Sequence, residues 1–139
     1  MDISVTGTDN ITEVLEKIIE FTDRRDIVLT RNIKNHDRED FLPMDLDTKG
    51  FARLMTMAVS EHIRNERLVL CDSDNIRFGK EGRFETAAIV DDEAKKLLIT
   101  DKQEYIYFQI AKLSENMLNK KVAIELLEHK QADPVNVFD

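Results

Sequence analysis

The sequence predicts a mainly α-helical domain. Long amphipathic helices at both ends of the chain pack as a coiled-coil-like bundle, with a shorter middle helix and a small β-hairpin between them. A chain of 139 residues with 42% hydrophobic content suits one domain with one core. Its 4 Gly and 2 Pro disfavour an all-β fold, which needs a turn signal about every 8–12 residues. Apolar residues recur at helical spacing near both ends.

The first helix is predicted over about residues 10–34. Asn10 suits an N-cap and Glu13 follows three positions later, as in a capping box. Residues 1–9 hold few apolar side chains and are predicted to be disordered before this cap. Arg25 interrupts the apolar seam, which indicates either a kink or a cation opposite a partner's carboxylate. The apolar seam consists of Ile11, Val14, Ile18, Phe21, Val28 and Ile33.

The middle of the chain, about residues 48–100, is more variable in pattern. A wholly polar segment over residues 35–40 should end the first helix, and a second amphipathic helix is predicted from about 48 to 63. Apolar and polar residues then nearly alternate on both sides of residues 79–82, which predicts a hairpin with a four-residue loop. Residues 89–100 give no clear pattern.

The last helix is predicted over about residues 102–131, within a single domain that covers residues 10–131. Its last turn holds His129 and Lys130, where the helix dipole favours cations, and residues 132–139 are predicted to form a loose tail. A seam at alternating spacings of three and four, with one position skipped at Lys120, consists of Ile106, Ile110, Leu113, Met117, Ile124 and Leu127. A second stripe beside it consists of Tyr107, Ala111, Leu118 and Val122.

The apolar stripes of both terminal helices are broader than a two-stranded seam would use. An ordinary intramolecular bundle accounts for helical periodicity alone. A surplus of apolar surface, however, implies further partners. Both alternatives stay open at the level of sequence.

Composition and charge disfavour several classes of protein. A net charge of −8 would repel a nucleic-acid backbone, and the basic residues do not cluster. Cys71 is the single cysteine, so no internal disulfide can form. No apolar run approaches the roughly 18 residues of a membrane span, and the first residues lack the pattern of a cleaved secretory signal.

One segment imitates a metal-binding loop. Asp45 and Asp47 followed by Gly50 match the opening of a calcium loop. Lys49 and Thr56, however, stand where further ligands should be. A turn that starts the second helix is therefore the favoured interpretation, and no metal site is predicted.

No catalytic constellation can be identified. His36, His62 and His129 lie in three different segments, and Ser60 and Ser114 lack the glycine elbow of a nucleophile. There is no glycine-rich phosphate loop. We therefore expect no catalytic residue and no cofactor, and a protein that is not an enzyme.

Two short motifs resemble the signatures of the bacterial flagellar axial protein family. The first helix ends in an N-I-x-N motif formed by Asn32 and Asn35, which Phe41 and an aspartate-rich stretch follow. The last helix contains Ser114, Glu115 and Asn116, a run similar to the C-terminal signature of that family. The resemblance covers about residues 10–47 and 101–131 and is nearest to the proximal rod proteins of the basal body.

The resemblance implies a structural subunit of the proximal rod, exported without a cleaved signal peptide by the flagellar type III apparatus. Its terminal helices would pair with each other and with those of neighbouring subunits. The implied partners are other rod subunits and basal-body or export-gate proteins, with self-association, and the implied location is the periplasmic rod. Asn32 and Asn35 would fix the helix exit by side-chain hydrogen bonds, or else simply terminate the helix.

Two other classes of protein remain as alternatives. An acidic helical adaptor or chaperone would bind a partner helix in a groove. A small metal-dependent enzyme would bind a metal ion stoichiometrically.

Overall fold

A computed structural model describes residues 3–79 and 83–132, with side chains over residues 10–79 and 83–130. This part of the chain is mainly helical, as predicted. The helices are α1 (Ile3–Lys34), α2 (Thr48–Asn65), α3 (Asp92–Thr100) and α4 (Lys102–Ala132). The strands are β1 (Met44–Asp45), β2 (Ile76–Arg77), β3 (Glu85–Thr86) and β4 (Ile89–Val90).

The two terminal helices, α1 and α4, form the most extensive contact between elements. Asn116 Nδ2 donates to the carbonyl of Thr22 at 2.7 Å, and the Tyr105 hydroxyl donates to the carbonyl of Asn32 at 2.8 Å. Residue numbers that increase along α1 are thus paired with residue numbers that decrease along α4. The helices are therefore antiparallel.

An aromatic core joins α1 to α2 and to the β2–β3 hairpin. The rings of Phe21 and Phe51 are stacked with centroids 4.0 Å apart, and Phe84 meets Phe51 edge-on at 6.2 Å. Such ring pairs add to the free energy of burial. The buried residues of this core are Val14, Phe21, Leu46, Phe51, Leu54, Met55, Ala58, Ile76, Phe78 and Phe84.

The ends of α2 follow from local chemistry. Asp47 is the N-cap, and its side chain accepts from the backbone N–H of Gly50 at 2.9 Å. At the other end Glu66 adopts a left-handed conformation with φ of 55°, and its N–H bonds to the carbonyl of His62. The predicted second helix is confirmed, and so is the prediction that a turn at Asp47 starts it.

The predicted hairpin is also confirmed. Strands β2 and β3 are antiparallel, with Ile76 opposite Thr86 and Arg77 opposite Glu85. The connection is longer than the predicted four residues because pairing stops before Phe78. Gly79 has φ of 59°, and a Cβ there would lie 2.7 Å from the carbonyl oxygen of Arg83, so this position requires glycine. The rest of the predicted loop, residues 80–82, lies outside the described residues.

Residues 89–100, which show no clear pattern in the sequence, form a strand and a helix. Strand β4 pairs antiparallel with β1, with Met44 opposite Val90 and Asp45 opposite Ile89. Asp91 is the N-cap of α3 and accepts from the N–H of Ala94 at 3.1 Å. This pairing brings β1 and the start of α3 together beside α4.

The start of α1 differs from the prediction. The helix begins at Ile3, so it includes residues 3–9 of the segment predicted to be disordered, and residues 1–2 lie outside the described residues. Asn10 is not an N-cap; its side-chain amide donates to the carbonyl of Glu66 at 3.1 Å and lies 3.4 Å from His62 Nδ1. Asn10 thus makes a tertiary contact with the end of α2 rather than capping α1.

The last helix runs from Lys102 to Ala132, close to the predicted bounds. Residues 133–139 of the predicted tail lie outside the described residues. Among the helices described, none has both the length and the apolar character needed to cross a bilayer.

Candidate assembly site

The face of α4 that packs on α1 is largely polar. Gln109 and Asn116 are buried on this face and replace the apolar seam that would be expected between paired helices. Asn116 holds the backbone of α1, while Gln109 Oε1 accepts from the side chain of Asn32 at 3.0 Å. The helices are thus joined by specific hydrogen bonds. The residues of this contact face are Tyr105, Gln109, Lys112, Asn116 and Ala123.

An ion cluster joins this contact face to β1 and α3. Asp45 receives two hydrogen bonds from Arg25, from Nε at 2.9 Å and from the terminal nitrogen at 3.1 Å. Lys112 Nζ donates to Asp45 Oδ2 at 2.9 Å and also to Asp91. Of the alternatives left open for Arg25, the structure has the cation opposite a carboxylate, and that carboxylate belongs to the same chain.

The cluster contains two cations and two carboxylates, and the pKa values of Asp45 and Lys112 both shift towards the charged form. Burial alone would raise the pKa of Asp45, but the hydrogen bonds from Arg25 and Lys112 outweigh burial and hold the pKa below its usual value. Burial would lower the pKa of Lys112, but its bonds to Asp91 and Asp45 raise it. Such a cluster is suited to holding β1 and α3 against the terminal helices rather than to transferring protons.

These pKa shifts predict how stability depends on pH. The lowered pKa of Asp45 gives stability that is present above its unfolded pKa of about 3.9 and lost as pH falls below it. The raised pKa of Lys112 gives stability that is present below about 10.4 and lost as pH rises through its folded pKa. Urea unfolding across pH 3 to 7 should therefore show a steeper acid loss for the wild type than for Asp45→Asn. Parallel curves for the two proteins would contradict the cluster's role.

Asn32 of the N-I-x-N motif is buried at the exit of α1. Its amide group donates to the carbonyl of Met44 at 2.7 Å, and its side-chain oxygen accepts from the N–H of the same residue at 3.1 Å. The side chain thus binds the start of β1 as a neighbouring strand would. Asn35 is more exposed and donates to the carbonyl of Arg31 in its own helix at 3.0 Å. Side-chain bonding that fixes the exit is therefore seen at Asn32, and Phe41 lies half-buried in the connection that follows.

The predicted seam of α1 lies inside the molecule. Ile11, Val14 and Phe21 are buried, and Ile18 and Val28 pack against the aromatic core. Ile33 is half-buried near the end of α1. In the single chain, the α1 part of the predicted assembly surface is therefore used by α2 and the hairpin.

The predicted seam of α4 does not face α1. We call this surface the outer stripe, and it consists of Ile106, Ile110, Leu113, Met117, Ile124 and Leu127. Met117 is 69% exposed and Ile110 is 47% exposed, while the other four are half-buried. The contact face is offset from the stripe by one position, and one residue turns a helix by about 100°. The outer stripe therefore does not form the contact between α1 and α4, because polar residues of α4 occupy that contact.

Leu118 and Val122 of the second stripe form part of one wall of an apolar groove. We call it the α2 groove, and its lining includes Ile18, Phe21, Met55, Leu118, Val122 and Leu126. Its volume is about 700 Å³, and Leu118 on its wall is 60% exposed. The sequence identified Leu118 and Val122 as a stripe but gave no sign of a groove, since the floor and the opposite wall come from α1 and α2.

The remaining candidate positions are a possible metal site, the segment that imitates a calcium loop, and the C-terminal motif. In the described parts of the chain, no three His, Cys, Asp or Glu side chains form a group that could hold a metal ion. Asp45 and Asp47, which imitate a calcium loop, belong to the ion cluster and to the α2 cap. In the C-terminal motif, Asn116 is buried while Ser114 and Glu115 are exposed, and Glu115 lies 3.6 Å from Arg25.

Comparison with known proteins gives no match with a family model, a curated protein or a solved structure. The features that bear on function are the two sequence motifs and the two exposed apolar surfaces of α4.

Proposed function

We propose that the chain is a structural subunit that assembles through its terminal helices. The observation that carries this proposal is the distribution of residues around α4. Its contact with α1 uses polar side chains, while apolar side chains occupy two flanks that remain exposed. Clusters of exposed apolar side chains on a helix are typical of a surface that binds a further partner.

Association through α4 would have to bury several exposed apolar side chains at once. Full burial of a Met or Leu side chain contributes about 1.5–3 kcal/mol. Association costs about 4–15 kcal/mol in lost freedom, so several such side chains must be buried together. The outer stripe and the α2 groove present Ile110, Met117, Leu118 and Val122 at 47% exposure or more, with half-buried neighbours beside them.

The finer proposal is a subunit of the flagellar basal-body proximal rod, of the FlgB type. It is supported by the two motifs, whose asparagines Asn32 and Asn116 are both buried at the contact between the terminal helices. On this proposal the chain is not an enzyme. It is exported without a cleaved signal peptide and lies in the periplasmic rod, beside other rod subunits and basal-body or export-gate proteins.

The second candidate is the acidic helical adaptor or chaperone, which the α2 groove favours because its size and apolar lining suit an amphipathic helix. An adaptor would hold a foreign helix in this groove. It would not need the outer stripe, which faces elsewhere on α4. Self-association through the outer stripe therefore distinguishes a structural subunit from an adaptor.

The test is the substitution Met117→Asp, which places a carboxylate in the middle of the outer stripe. Met117 is mostly exposed in the single chain, so the fold should be retained. Burial of an unpaired carboxylate costs more than about 1.4 kcal/mol, so self-association should weaken at least about tenfold. Sedimentation velocity over a hundredfold concentration range measures this.

The matched control is Ala88→Asp, which adds the same charge at an exposed position between β3 and β4. It should associate like the wild type. Equal weakening by both substitutions, or a wild type that stays monomeric throughout, would contradict assembly through α4. The rod assignment has its own readout, since a tagged chain should copurify with basal bodies of a flagellated cell and not remain in the cytosol.

A further inference from the structure

We propose that the outer stripe of one copy docks in the α2 groove of a second copy. The contact joins two different surfaces, so each copy can bind one neighbour through its stripe and another through its groove. This inference rests on the proposed function, and it specifies which residues of the partner meet α4.

The two surfaces lie on opposite sides of the same helix. At about 100° per residue, the mean direction of the outer stripe is about 160° from that of Leu118, Val122 and Leu126. A two-fold dimer uses the same patch on both subunits. A contact between unlike patches on opposite sides instead generates a ring or an open helical polymer.

The two surfaces are similar in length. The stripe is the convex face of a helix, and Ile110 to Ile124 spans about 21 Å at 1.5 Å per residue. The α2 groove and a second depression between α1 and α2, which shares Ile18 and Met55 with it, together run along α2 from Thr48 to Arg64, about 24 Å. An amphipathic helix bound lengthwise in an apolar groove is a common mode of recognition.

Charges at the edges of the two surfaces are complementary. Lys49 lies at the α2 edge of the α2 groove and Arg64 lines the second depression, and both are exposed. The C-terminal part of the stripe lies in a shallow depression lined by Glu125 and Glu128 and by Lys120 and Lys121. Lys120 is already paired with Asp23 of its own chain at 2.6 Å, so two carboxylates and Lys121 leave this depression net negative. Docking brings the carboxylates of one copy towards the basic edge of the next.

The test mixes two variants that each lack one surface. Met117→Asp blocks the stripe and leaves the groove, while Val122→Asp blocks the groove and leaves the stripe. Both positions are exposed in the single chain, and circular dichroism with thermal melting checks that both variants fold. Each variant alone should be monomeric where the wild type associates. An equimolar mixture should form a 1:1 dimer that does not grow further.

Charge reversal supplies a second arm. In the chain that provides the stripe, Glu125→Lys with Glu128→Lys should weaken the mixed dimer about tenfold. In the chain that provides the groove, Lys49→Glu with Arg64→Glu should restore it. A mixed dimer indifferent to both changes would overturn the proposed orientation of stripe and groove.

Failure of this inference can be distinguished from failure of the proposed function. If each variant still dimerises alone and the two do not combine, like surfaces pair with like, which overturns the inference and leaves self-assembly standing. If the wild type and the mixture are monomeric at every concentration, a different protein occupies the groove and both proposals fail.

Discussion

Replacement of Asp45 by alanine should lower the free energy of unfolding by about 3–5 kcal/mol, the usual cost of breaking a buried ion pair from one side. Asp45 is 8% exposed and is held by Arg25 and Lys112. Its removal leaves the Arg25 guanidinium buried without its bidentate acceptor. It also leaves the N–H of Leu46, which donates to Asp45 at 2.7 Å, without that bond. Urea unfolding at neutral pH measures the loss.

The control is Asp37→Ala, which removes a carboxylate of the same kind from the surface. Asp37 is exposed and pairs with His36 at 3.2 Å and Lys102 at 3.7 Å. Exposed pairs contribute about 0–1 kcal/mol, so this variant should be nearly as stable as the wild type. A loss at Asp45 no larger than that at Asp37 would show that the cluster does not hold β1 and α3 to the terminal helices.

The two asparagines of the N-I-x-N motif should differ sharply in their effect on stability. Asn32→Ala removes three side-chain hydrogen bonds and leaves both backbone groups of Met44 without their partner, so we expect a loss of about 2–3 kcal/mol. Asn35→Ala removes exposed bonds within one turn and should cost less than about 0.5 kcal/mol. Thermal and urea unfolding compare the two. Equal losses would mean that the motif merely ends the helix.

Local patterns were sufficient to predict α2, α4 and the hairpin. Asp47 caps α2 through a bond to Gly50 three residues away, and the bounds of α4 follow from helical spacing over its whole length. These signals lie within a few residues of one another. They need no knowledge of what the element packs against.

The contact between the terminal helices could not be predicted in the same way. Periodicity identifies the most apolar face of α4, but α1 binds the face that carries Gln109, Lys112 and Asn116. How much these polar side chains stabilise the contact depends on partners in distant segments, such as Asp45, which is 67 residues from Lys112. Sequence spacing therefore identifies the apolar stripe of α4 but not the face that contacts α1, which lies one position away.

The candidate assembly site was predicted in part. Every residue of the outer stripe was identified from spacing, while the seam of α1 turned out to be occupied by α2 and the hairpin. The α2 groove was not predicted, because Met55 of α2 and Leu118 of α4 come together only when both helices pack against α1. Residues 1–9 were predicted to be disordered because they hold few apolar side chains, yet α1 extends through residues 3–9.

Assembly through α4 is tested most directly by amide hydrogen exchange of the intact chain at low and at high protein concentration. If α4 binds other copies through its outer stripe and the wall of the α2 groove, exchange in residues 106–127 should slow as concentration rises. Exchange in β2 and β3, which belong to neither surface, should stay the same. Exchange rates in α4 that do not change over a hundredfold range of concentration would contradict the account.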